Sequence, residues 1–226
     1  MTEGVEGKIV LITGAGKGKA RALAEALSKR GAIIAANDIS PINLDELVKE
    51  SEGKIKAYID DIAKKVAIQA IINQVEDDFG RIDILINHAA VEPQSPLLDM
   101  DEWDWHRVLD VNLTGAFLAM QSAGRVMRAQ GAGVIINIIS TGESQDKQAS
   151  KGGKTAAYLA SMYGLIALTR AGAAELASYG IQVHAVGSGL KEFQKADPAV
   201  PSDLIGAVYY LCSSSLNGQI VNVEAR

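Results

Sequence analysis

The chain has one cysteine, Cys212, so it can form no internal disulfide. Its three histidines, His88, His106 and His184, stand at no metal-ligand spacing from one another or from that cysteine, and no metal site is indicated. No apolar run is long enough to span a bilayer, and Met1 to Gly7 lacks the basic start and apolar stretch of a secretory signal. A cytoplasmic protein without a membrane partner is expected. The 22 Lys and Arg are dispersed among 27 Asp and Glu, and the formal net charge of −5 argues against nucleic acid as a partner. The expected ligand is a small molecule. Linkers, repeats and low-complexity segments are also missing, and the nearest thing to a loop-rich insert is Thr141 to Lys154.

What is present, 226 residues of which 48% are hydrophobic, suits a single α/β domain over 1–226. Lys8 to Thr13 reads as a strand, and the segment after it carries Ala20, Leu23, Ala24 and Leu27 at helical spacing. The alternation continues through strand runs at Ala32 to Ala36, Ile55 to Ile59, Ile82 to Ile86, Val134 to Ile139, Gln182 to Val186 and Gln219 to Val223. Strands separated by helices predict a Rossmann-type, doubly wound, seven-stranded parallel sheet.

Between the first strand and its helix lies Thr13-Gly14-Ala15-Gly16-Lys17-Gly18-Lys19-Ala20. Glycines there let the backbone turn tightly and approach a pyrophosphate at the positive end of the helix. Lys19 stands where the third glycine of a G-x-G-x-x-G run from Gly14 would fall, so the turn alone reads equally as close helix–strand packing. The second strand, however, ends at Asp38, 20 residues after Gly18, where a carboxylate accepts hydrogen bonds from an adenosine ribose. Together the two features indicate a nucleotide site.

Thr13-Gly14-x-x-x-Gly18-x-Ala20 resembles the T-G-x-x-x-G-x-G of the short-chain dehydrogenase/reductase superfamily, with alanine for the last glycine. Asp61-Ile62 resembles that family's adenine-contacting Asp-Val, Asn87 to Ala90 its N-N-A-G, and Val111 to Gly115 its asparagine motif. Asn137 to Ser140 is similar to the strand end bearing the catalytic serine, and Ala157-Tyr158 with Gly164 to Arg170 to the catalytic-tyrosine helix. Val183 to Gly189 and Gly218 to Val223 complete the likeness. The resemblance implies NAD as cofactor, bound through Gly14, Gly16, Lys17, Gly18, Asp38, Asp61, Ile62 and Asn87 in a half of about residues 1–100. It places catalysis on Asn112, Ser140 and Tyr158 in a half of about residues 101–226.

In that family the tyrosine exchanges the substrate proton, the serine holds the carbonyl oxygen, and a lysine four residues on grips the nicotinamide ribose and favours tyrosinate. Here that position is Met162. An ordinary tyrosine has a pKa near ~10, so without a neighbouring cation it is a poor base at neutral pH. Proton transfer by such a group contributes on the order of 10²–10⁴ in rate. Other departures fall on the same side: Lys19 for an apolar residue, Ser188 for proline, Phe193 for threonine, and a shortened stretch from Gly189 to Ser202.

The remaining residues have plainer readings. His88 and His184 are expected as hydrogen-bonding residues at strand ends, His106 on a helix surface, Trp103 and Trp105 packed on the sheet, and Tyr163 at an interface or in the core. Lys147, Lys151 and Lys154 belong to a solvated loop. The helix from Thr155 carries no charge as far as Leu168 and is apolar around its circumference, which predicts burial against a further subunit. Three functions follow. The first is a catalytically impaired subunit, the structural or regulatory partner of an active NAD-dependent homologue in a hetero-oligomer, with a tetramer expected. The second is an active NAD(H)-dependent oxidoreductase of an alcohol or carbonyl, acyl thioesters included, using Tyr158 and Ser140 without the lysine. The third is a nucleotide-sensing module. Met162 favours the first and third over the second.

Overall fold

The computed structural model describes residues 4–141 and 155–224. The insert from 142 to 154, with Lys147, Lys151 and Lys154, lies outside the described residues.

Runs of Ile, Val and Leu without polar alternation suit strands covered on both faces. β1 (Ile9–Thr13) is buried at every position. It leads through the glycine turn into α1 (Gly18–Lys29), whose buried stripe includes Ala20, Leu23, Ala24 and Leu27. β2 (Ile33–Asp38), α2 (Pro41–Lys49), β3 (Ile55–Ile59) and α3 (Lys65–Phe79) follow. Next come β4 (Ile84–Asn87), α4 (Glu102–Leu109), a π-helical turn over Asp110–Gly115, and α5 (Ala116–Gln130). β5 (Gly133–Ser140), α6 (Ala156–Leu176), β6 (Ile181–Ser188), α7 (Leu204–Cys212) and β7 (Ile220–Asn222) close the chain.

All seven strands are parallel, in the order β3-β2-β1-β4-β5-β6-β7. One apolar core joins the sheet to α1, α2 and α7, and a second joins its other face to α3, α5 and α6. Strand order reverses between β1 and β4, so their carboxyl ends open a crevice, the usual ligand position in a doubly wound sheet. The Thr13 hydroxyl accepts the N–H groups of His88 and Ala89 at 3.1 and 3.2 Å, stitching the two rims of that crevice together.

The structure corrects several details. The fourth strand begins at Ile84 rather than Ile82, because the side-chain amide of Gln130 takes both backbone groups of Ile82 in place of a neighbouring strand. His184 is not at a strand end but inside β6, fully buried, where its Nδ1 accepts the Gln219 N–H at 3.3 Å. Trp103 is 70% exposed instead of packed on the sheet, since α4 buries only Val108. Tyr163 is not in the core but at the surface, its ring edge-on to Phe193 with centroids 5.5 Å apart. The short stretch after Gly189 forms a strap: one 3₁₀ turn at Lys191–Phe193, then an antiparallel bridge in which Lys195 and Ile220 exchange hydrogen bonds of 3.0 and 2.9 Å along the outer edge of β7. Among the described residues no helix is long and apolar enough to cross a membrane.

Candidate active site

A cavity of about 510 Å³ occupies the crevice and runs from the glycine turn to the start of α6. Among the residues lining it are Gly14, Lys17, Asp38, Asp61, Ile62, Ser140 and Tyr158.

At one end the backbone permits what side chains would block. Gly14 has a φ of +68°, and a Cβ there would lie 2.8 Å from the Ala89 Cα. A Cβ on Gly16 would lie 2.8 Å from the Asp38 Oδ2, the atom that accepts the Gly16 N–H at 3.0 Å. The other Asp38 oxygen accepts the Ser40 N–H at 3.0 Å, so the carboxylate is fixed at the rim of the cavity. α1 begins with no side-chain cap and no acidic residue in its first turn, while Lys17 and Lys19 line the cavity beside it. Uncapped N–H groups, a positive helix end and two ammonium groups fit a diphosphate, and a fixed carboxylate beyond them fits a ribose diol. The residues therefore suit a dinucleotide.

Asn87 contributes from behind the wall. It is buried, and its Nδ2 donates to the Asn137 Oδ1 at 2.9 Å while the Asn137 Nδ2 donates to the Thr169 Oγ1 at 2.9 Å. This amide ladder ties β4 to β5 and α6. His88, the next residue, lines the cavity; burial and the charge of Lys19 push its pKa down to about 4 against the pull of Asp38. It is a neutral imidazole at physiological pH.

At the other end Ser140 closes β5 and Tyr158 lies in the first turn of α6, and their side chains are hydrogen-bonded. The Ser140 Oγ also lies 3.1 Å from the Ser188 Oγ. Tyr158 is only 6% exposed; burial first, and then the Glu92 carboxylate, push its pKa up to about 12 while Ser140 opposes them. Asn112 does not line the cavity. Its Oδ1 accepts the Val91 N–H at 2.8 Å, and its Nδ2 donates to the Val91 carbonyl at 3.0 Å and the Ser161 Oγ at 3.1 Å. Ser161 in turn donates to the Tyr158 carbonyl at 2.7 Å. The π-helical turn thus places an amide that locks the Val91 loop to the tyrosine helix. Met162 is not among the residues that line the cavity; it is 2% exposed, in an apolar cluster with Ile139, Leu165 and Leu190. An unbranched thioether fills such a space readily.

Sequence reasoning missed Glu92 and Arg107. Both act through partners distant in the chain, Tyr158 and Asp61, and only their charge beside family-like motifs could have flagged them. Among the described residues no cluster of three His, Cys, Asp or Glu could hold a metal.

The sequence model of the short chain dehydrogenase family matches residues 8–198. The 3-oxoacyl-acyl-carrier-protein reductase of Thermotoga maritima is 38% identical over 191 residues, covering 83% of this chain and 76% of that protein. The 2-dehydro-3-deoxy-D-gluconate 5-dehydrogenase of Formosa agariphila is 32% identical, with 97% of this chain and 92% of that protein covered. The crystal structure of an NAD⁺-bound xylitol dehydrogenase superposes with a TM-score of 0.83 at 27% identity, covering 98% of this chain and 99% of that one.

Proposed function

The chain belongs to the short-chain dehydrogenase family, and on that premise we propose that it is an NAD(H)-dependent oxidoreductase of an alcohol or carbonyl substrate that uses Tyr158 and Ser140 without a lysine. One observation carries this reading: the Ser140–Tyr158 pair and the Asp38 carboxylate line a single cavity. Gly14, Gly16, Lys17 and Gly18 would hold the diphosphate, and Asp38, Asp61 and Ile62 the adenosine end. When bound, the dinucleotide supplies or accepts the hydride. The Ser140 hydroxyl hydrogen-bonds the substrate oxygen, and Tyr158 gives that oxygen a proton as it becomes an alcohol. Burial and Glu92 hold Tyr158 as a phenol at neutral pH, which suits proton donation in carbonyl reduction better than proton removal in alcohol oxidation.

A second reading is favoured by Met162. With an apolar residue packed at the lysine position, that position supplies no cation to Tyr158, and the chain would serve as a nucleotide-binding partner subunit of an active homologue in a hetero-oligomer. The test is direct. The purified chain is titrated with NADH, then assayed for NADH oxidation with 3-oxoacyl thioesters, keto sugars and small ketones. Turnover that disappears in Tyr158→Phe supports the first reading. NADH binding without turnover, together with a co-purifying complex with a lysine-bearing homologue in light scattering, replaces it with the second.

A further inference from the structure

The end of the cavity assigned above to adenosine contains an ion pair to which the proposed chemistry gives no part. Asp61 follows β3, and Arg107 projects from α4 across the crevice; the Arg107 Nη1 lies 3.3 Å from the Asp61 Oδ2. The other carboxylate oxygen, Oδ1, accepts the Ala63 N–H at 3.1 Å. One donor on each oxygen therefore fixes the carboxylate plane. Both side chains are partly buried, at 30% exposed for Arg107 and 23% for Asp61, and both line the cavity. The neighbouring walls are apolar: Ile62 and Val111 are buried and Ile39 is exposed at the mouth.

Two apolar walls with an oriented acceptor at the edge describe a slot for a flat aromatic base that offers a donor. Adenine carries an amino group at position 6, whereas hypoxanthine and guanine carry a carbonyl oxygen there, which would meet the carboxylate acceptor to acceptor. A carboxylate free to rotate could turn its oxygens away from such a carbonyl and lose little. Discrimination therefore depends on what holds the carboxylate still.

We propose that Arg107 is a positioning residue for base selection: by clamping Asp61 across the crevice, it makes the dinucleotide site prefer a 6-aminopurine to a 6-oxopurine. The inference rests on the dinucleotide reading above.

The test uses binding rather than turnover, with NADH and its hypoxanthine analogue, deamino-NADH, titrated by quenching of tryptophan fluorescence. The unmodified chain is expected to bind NADH roughly tenfold more tightly, the size of one hydrogen bond to a charged group in a partly exposed site. Arg107→Met should bring that ratio close to one, Arg107→Lys should retain most of it, and in an Asp61→Ala background Arg107→Met should change the ratio no further. Thermal melting of each variant separates lost fold from lost selection. A ratio unchanged in Arg107→Met, or changed equally with and without Asp61, overturns the assignment and leaves the dinucleotide reading intact. Failure of the unmodified chain to bind NADH overturns both.

Discussion

The Gly16 N–H donates a 3.0 Å hydrogen bond to the Asp38 carboxylate, joining the end of β2 to the turn after β1. In the dinucleotide reading proposed above, this fixed carboxylate is the group that meets the ribose 2′ substituent. A 2′-hydroxyl can donate to it, while a 2′-phosphate meets it as a like charge. NADH should bind at least about tenfold more tightly than NADPH, a difference of ~1.4 kcal/mol. Asp38→Ser should narrow the gap, mainly by improving NADPH. Isothermal titration with both nucleotides checks this, and tighter NADPH binding by the unmodified chain would reverse the assignment.

Burial and the Glu92 carboxylate push the Tyr158 pKa up to about 12, so its phenol keeps its proton throughout the range in which the protein would work. Carbonyl reduction should be nearly independent of the ionisation of this group between pH 6 and pH 9, values well below about 12. Alcohol oxidation, which needs the phenolate, should climb with pH across the same range. Tyr158→Phe is expected to lower reductive turnover by on the order of 10²–10⁴. Initial rates in both directions across pH decide the matter: an oxidation rate that levels off near neutrality would mean that another group accepts the proton.

His184 lies fully buried in β6 with its pKa lowered by burial from 6.5 to about 4. Because the folded state disfavours the charged form, the stabilising effect is complete above pH 6.5 and fades as pH falls from 6.5 toward 4. The loss at this one site is on the order of 3 kcal/mol by the bottom of that window. Urea unfolding at a series of pH values should show it, and His184→Asn should flatten the acid limb even if it lowers stability near neutrality. An acid limb identical in the two proteins would assign the pH dependence elsewhere.

The sheet was legible because its strands are covered on both faces: β1 and the core of β2 need apolar side chains at successive positions, and such runs stand out against amphipathic helices. The place of Asp38 was legible as well, since the apolar run of β2 stops at it. The clamp of Arg107 on Asp61 was not, because 46 residues separate the partners and only the folded crevice brings them together. Asn112 carried a motif signal, but its hydrogen bonds to Val91 and Ser161 were not legible, because those partners lie 21 and 49 residues away. Trp103 misled because size and apolarity imply burial only where a helix has a buried face to offer, and α4 offers Val108 alone.

Met162 lies one helical turn beyond Tyr158, on the same face of α6, and is sealed among Ile139, Leu165, Ile166 and Leu190. Replacing it by lysine sets two effects against each other. An ammonium in an apolar cluster loses hydration with nothing there to replace it, so Met162→Lys should destabilise the free protein by roughly 1–3 kcal/mol, whereas Met162→Leu should cost under about 1.5 kcal/mol. The stem is long enough for the charge to seek the polar end of the helix face, toward the Tyr158 phenol one turn back on α6. There it would favour tyrosinate and oppose the burial and the Glu92 charge that push the Tyr158 pKa up to about 12. Added NADH should then recover part of the lost stability, because any ligand that binds only the folded chain shifts the equilibrium toward it. Thermal melts with and without NADH, read beside the ultraviolet titration of Met162→Lys and its Tyr158→Phe double variant, test each step. An unaltered phenol titration would show that the cluster keeps the charge away from Tyr158, and a lysine at this position alone would then be insufficient to restore the proton relay.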